Sequence, residues 1–97
     1  MAGRAKVIVI DEKDNVATAI EPLNAGSRVS VEVQGRVDEV KLLSDIPMGH
    51  KLALRDIEEG EPVIKYGERI GLSTTRIARG EHAHVHNVAS HPRGGPR

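Results

Sequence analysis

The stretch RVSVEVQGRVDEVKLL, Arg28 to Leu43, decides how this chain folds. Val29, Val31 and Val33 alternate with Arg28, Ser30 and Glu32, so an extended backbone carries one apolar and one wet face. Gln34-Gly35 breaks the alternation with a pair suited to a two-residue hairpin, and Arg36 to Leu43 is the returning strand. The same grammar runs through the rest of the chain. Lys6 to Ile10 reads as a strand, Asp11 to Asn15 as a polar turn and Val16 to Ile20 as its partner. Helical periodicity is almost absent.

A shorter motif recurs four times: an aliphatic residue, two residues, Gly, two residues, then a small or aliphatic residue entering a strand. The copies are Leu23/Gly26/Val29, Ile46/Gly49/Leu52, Ile57/Gly60/Val63 and Ile77/Gly80/Ala83. Each reads as a turn over which the flanking apolar pair folds. Convergent turn chemistry and internal duplication both account for the repetition. The expectation is a small all-β domain over residues 1–89, barrel-like or clip-like, made of short strands and glycine turns. Residues 90–97, SHPRGGPR, are expected to be a flexible basic tail, with Arg93 and Arg97 keeping that end soluble or touching an acidic partner.

Composition narrows the function. The 97 residues suffice for one modest core but not for a core plus a roomy enclosed active site, so chemistry here calls for a second surface. Lys+Arg and Asp+Glu both number 14, and Tyr66 is the sole aromatic residue, which argues against nucleic acid and anionic membranes as partners. The chain has no cysteine, which removes disulfides, thiolate metal sites and a thiol nucleophile and suits a cytoplasmic setting. The apolar run Val7 to Ile10 is too short for a signal peptide or a membrane span.

The residues able to carry chemistry cluster late in the chain. In EHAHVHN, Glu81 to Asn87, a continuous strand would turn His82, His84 and His86 to one face. Neighbours two apart are separated by roughly 6.6 Å and can share an ion, whereas residues four apart, near ~13 Å, cannot do so comfortably. A His-x-His pair is therefore the unit, with further ligands from elsewhere; on spacing alone the preferred reading is a half-exposed strand whose imidazoles bond water and carbonyls. Asn87 can both donate to and accept from a hydroxylated or carboxylated ligand. His50 offers proton transfer, and adjacent Lys51 a cation for a carboxylate, although a strand points them opposite ways and spacing alone reads Lys51 as the surface residue of the two. Tyr66 precedes Gly67 in a turn; it can meet a substrate, or, with no Phe or Trp present, fill part of the core.

Taken together, Gly49 to Asn87 resembles the N-terminal module of the altronate and galactarate dehydratase family, a pattern also seen in the small subunit of sulfolactate sulfo-lyase. The resemblance rests on Gly49, His50, Lys51 and Ala53, on the block from Asp56 to Gly67, on Ile70-Gly71, on Ile77 to Glu81, and on His84, His86 and Asn87. Asp14 to Ile20 is similar as well. Arg76 and Ala83 depart from the pattern, where an acidic residue and Val are common. His82 lies outside it and reads as surface.

The resemblance implies a β-clip fold of the SAF type and the small subunit of a two-component hydro-lyase, which removes water from a sugar acid together with a large catalytic subunit. The alternatives it leaves open are a sulfolactate sulfo-lyase small subunit and a non-catalytic SAF module that binds carbohydrate or supports an assembly. On this reading His50, His84 and His86 are catalytic, Lys51, Tyr66 and Asn87 bind substrate, and His84 and His86 ligate a divalent metal. That metal, iron, manganese or magnesium, is shared with the large subunit. Self-association of the small chain is compatible with this arrangement.

Overall fold

The computed structural model describes residues 6–90. The expected tail from 91 to 97 lies outside the described residues, and Ser90 closes the last strand. Among the described residues there are nine strands and no helix: β1 (Val7–Ile8), β2 (Val16–Ala19), β3 (Arg28–Val33), β4 (Arg36–Lys41), β5 (Lys51–Ala53), β6 (Pro62–Lys65), β7 (Glu68–Ser73), β8 (His82–Ala83) and β9 (Val88–Ser90). The domain is all-β, as the alternation requires.

Three antiparallel sheets result, in the orders β1-β2-β5-β8, β3-β4 and β6-β7-β9. The β3–β4 hairpin keeps the register implied by its alternation, with Val33 opposite Arg36 across Gln34-Gly35, and Val29 and Val31 are buried. Both turn residues have positive φ, 51° at Gln34 and 81° at Gly35, the requirement of a type I′ turn that matches the twist of the strands.

The four-fold motif is structural as well as sequential. Leu23 and Ile46 bridge each other through reciprocal backbone hydrogen bonds, and Ile57 and Ile77 do the same. In the second and fourth copies the glycine N–H donates to a neighbouring strand carbonyl at 2.8 Å, from Gly49 to Ala19 and from Gly80 to Ala53. Gly49 and Gly80 have φ of 84° and 87°, a conformation costly for any residue with a Cβ. These two turns deliver the chain into β5 and β8.

Strand β5 lies between the two cores. Leu52 belongs to the cluster with Ala17, Leu23, Val29, Val40 and Ile46, while Ala53 belongs to the one with Val16, Ile57, Val63 and Ile77. Both residues are fully buried, so β5 is covered on both faces and only its N-terminal end reaches the surface. The buried polar residues hold the sheets together. Asn15 donates its side-chain amide to the Pro62 carbonyl and accepts from the Ile64 N–H, while its backbone carbonyl accepts from Leu54.

Four strands are shorter than their sequence pattern implies: β2 ends at Ala19 rather than Ile20, β4 ends at Lys41 rather than Leu43, and two others lose more. The expected strand from Lys6 to Ile10 is paired only at Val7–Ile8, because the Asp14 carboxylate accepts the Ile10 and Asp11 N–H groups and draws the backbone off the ladder. The expected histidine strand stops at Ala83. Beyond it the His84 carbonyl accepts the N–H groups of Asn87 and Val88, and the chain turns over before β9.

Candidate functional site

The β5–β8 register assembles the site. Leu52 faces His82 and Lys51 faces Ala83, so His50, one step back, comes opposite His84, one step on. The period of two puts His50 on the Leu52 face, and His82 and His84 share that face on the adjoining chain. The Gly49 turn holds His50 there: the Ala19 N–H donates to the His50 carbonyl at 2.8 Å, and the His50 N–H donates to Pro47 at 3.0 Å.

The rings meet accordingly. His50 and His84 stack with centroids 3.8 Å apart, and His50 and His82 stack at 5.1 Å. Nδ1 of His50 lies 2.9 Å from Nε2 of His82, so one proton serves the two nitrogens. One ring nitrogen from each of His50, His82 and His84 falls within 4.8 Å of the others, and the group contains histidines alone. Nδ1 of His84 is buried without a hydrogen-bond partner.

Burial and neighbouring charge disfavour the charged form of His82 and of His84. Burial, then the nearby His86, His50, His84 and Lys51, lowers the pKa of His82 below the ordinary imidazole value. His84 is lowered by burial, then by His50, Lys51 and His86. No carboxylate belongs to the group to offset a positive charge. A neutral imidazole presents a lone pair, so the cluster is fitted to accept a proton or ligate a metal.

Residues 5–91 match the altronate/galactarate dehydratase SAF domain. The chain belongs to that family. Its relatives include the altronate dehydratase of Escherichia coli strain K12, 47% identical over 81 residues that make up 84% of this chain and 16% of that protein. Another is the (2R)-sulfolactate sulfo-lyase subunit alpha of Chromohalobacter salexigens, 43% identical over 84 residues, covering 84% of this chain and 89% of the subunit. The altronate dehydratase of Bacillus subtilis is 42% identical over 81 residues, again 84% of this chain and 16% of that protein. The SAF domain thus spans a small part of the dehydratases it resembles and most of the alpha subunit.

Within the SAF domain, the residues singled out by sequence have unequal places. His50 and His84 are at the centre of the cluster. His86 is exposed in the turn; its ring is 5.0 Å from that of His82, tilted by 36°, and it is not one of the three converging donors. His82, read as surface, supplies the donor expected from His86, because the chain turns before His86 can share the strand face. Lys51 is half-buried, and burial followed by the charge of Lys65 lowers its pKa.

Asn87 is only 2% exposed and turns its amide inward rather than toward a ligand. Its side-chain oxygen accepts the His84 N–H at 2.9 Å and its amide donates to the His82 carbonyl at 2.9 Å, so it fixes the loop that carries both rings. Tyr66 does not fill the core. It is 48% exposed at the tip of the β6–β7 hairpin, where φ of 57° at Tyr66 and 76° at Gly67 turns the ring outward, and Lys65 Nζ lies 4.8 Å from the ring centre. A cavity of about 310 Å³, lined by Val31, Val33, Arg36, Leu54 and Arg55 among others, includes none of the histidines.

Proposed function

We propose that this SAF domain is the small subunit of a two-component lyase, acting in the cytoplasm with a separate large catalytic chain on a hydroxy acid. The observation that carries the reading is the match over 89% of a sulfo-lyase alpha subunit, against 16% of the altronate dehydratases. That contrast favours elimination of sulfite from a sulfolactate-type substrate over the loss of water from a sugar acid. The 47% identity to an altronate dehydratase keeps the sugar acid as the second reading.

Such an elimination removes a proton from the carbon beside a carboxylate. The bond to the β substituent breaks with its electron pair, releasing sulfite or hydroxide, and the resulting enol tautomerises to a ketone. The step needs a base, an acid for the leaving group and stabilisation of the enolate. His50, His82 and His84 present imidazoles on a half-exposed face which, with no ion bound, are suited to accept the proton or return one to the leaving group. The three-histidine set fits a divalent ion, which would polarise the substrate carboxylate and lower the cost of the enolate charge. Lys51 is near enough to the rings for its charge to act on His82 and His84, and it can neutralise a bound carboxylate. Met48 and Val85, 65% and 80% exposed, flank His50 and His84 in sequence and give the large chain an apolar rim to cover.

Reconstitution tests the reading. The chain is mixed with a large subunit of the same family and assayed against sulfolactate, altronate and galactarate. Turnover only when both chains are present is expected, with sulfolactate the preferred substrate. Turnover by the isolated chain sinks the two-component reading, and an active large chain indifferent to the SAF domain favours a non-catalytic module.

A further inference from the structure

The lone-pair geometry of the cluster reaches beyond proton transfer. Two imidazole nitrogens bound to one tetrahedral ion at about 2.0–2.1 Å lie about 3.3 Å from each other. His50 Nδ1 and His82 Nε2, 2.9 Å apart, are already near that bite, and a nitrogen of His84 completes a set within 4.8 Å. The rings of the three lie within 18° of parallel, so binding tilts them about χ2, a soft torsion for histidine. The unpartnered Nδ1 of His84 is the independent sign: a buried ring nitrogen with no hydrogen bond is costly unless it gains a ligand. Asn87 supports the set from behind, bonding the backbone at both His82 and His84.

We propose that His50, His82 and His84 form a binding site for one divalent transition-metal ion of the zinc, cobalt or nickel type. An all-imidazole donor set suits these borderline ions, whereas magnesium prefers oxygen ligands and is a poor match. The half-exposed face leaves a position for water or a substrate oxygen. His82, not His86, is the third ligand. The site is the one the lyase reading uses, and it is tested in the isolated domain without substrate or partner, so that its failure and the failure of that reading are told apart.

The test titrates the purified metal-free chain with Zn²⁺ and with Co²⁺, following heat of binding, visible Co²⁺ absorption and the ring ¹⁵N resonances of the histidines. One ion per chain is expected, with the rings of His50, His82 and His84 shifting and that of His86 unmoved. His50→Gln, His82→Gln and His84→Gln each weaken binding by at least about tenfold, while His86→Gln binds like the parent. Circular dichroism of the metal-free variants verifies the fold, and the ring resonances of the unaltered chain report on the site without any substitution. Absence of binding at millimolar ion overturns the proposal. So does unaltered affinity in the three variants, or a shift at His86 with none at His82.

Discussion

The rings of His50 and His84 stack 3.8 Å apart at an interplanar angle of 13°, although 34 positions separate them in the chain (84 − 50). The contact follows from the β5–β8 register and not from either residue's local sequence. If both rings serve the elimination, His50→Ala and His84→Ala should each lower turnover of the reconstituted enzyme by about 10²-fold or more, the scale of general acid–base catalysis. Thermal unfolding of the two variants should remain near the parent's, because both rings are only half-buried. Normal turnover in either variant removes that ring from the reaction.

This relationship also marks what could be read from sequence. The β3–β4 hairpin was legible because alternation and Gln34-Gly35 are local signals, and the repeated glycine turns were legible for the same reason. Which strands lie side by side is not local. The pairing of Leu52 with His82 depends on how the Gly49 and Gly80 turns cross the two cores, and no spacing within EHAHVHN reports it. Period-two arithmetic also assumed an extended chain up to His86, whereas the buried Asn87 amide closes a turn at His84. Of the two readings open for Tyr66, core filling fails because composition speaks to what a core lacks, not to the backbone φ at a hairpin tip.

Acidification should weaken the metal-free fold through the cluster. Burial and neighbouring charges lower the pKa of His82 and His84 in the folded state, so the unfolded chain binds more protons in the interval below its own value of about 6.5. Their contribution is intact above that value and is lost as pH falls through the lowered ones. Urea denaturation from about pH 8 down to about pH 5.5 should give a falling midpoint, and the His82→Gln/His84→Gln double variant a flatter line. An equally steep fall in the double variant would show that other groups govern the pH dependence.

Asn87 should matter through position. Asn87→Ala leaves the His84 N–H and the His82 carbonyl without their side-chain partner, at a cost of about 1–3 kcal/mol for each group left unsatisfied. The loop should loosen and the ring resonances of His82 and His84 should approach those of free imidazole. Chemical denaturation combined with those spectra checks both effects. A variant of parental stability with unchanged ring shifts would contradict the anchoring role.

Tyr66 is where stability and function pull apart. Its φ of 57° sits in the left-handed region, which costs an ordinary L-residue roughly 1–2 kcal/mol and Asn less. Tyr66→Asn converts the hairpin tip to Asn-Gly, the preferred type I′ pair, and removes a ring that packs in neither core cluster. The melting temperature should therefore rise by a few degrees, consistent with about 0.5–1 kcal/mol in a domain of this size. If the outward ring contacts substrate or the large chain, the same variant should raise KM or weaken assembly while it stabilises the fold. Titration of the large chain with the variant, alongside steady-state kinetics, separates the two. A gain in stability with unchanged assembly and kinetics would leave Tyr66 no part in the site.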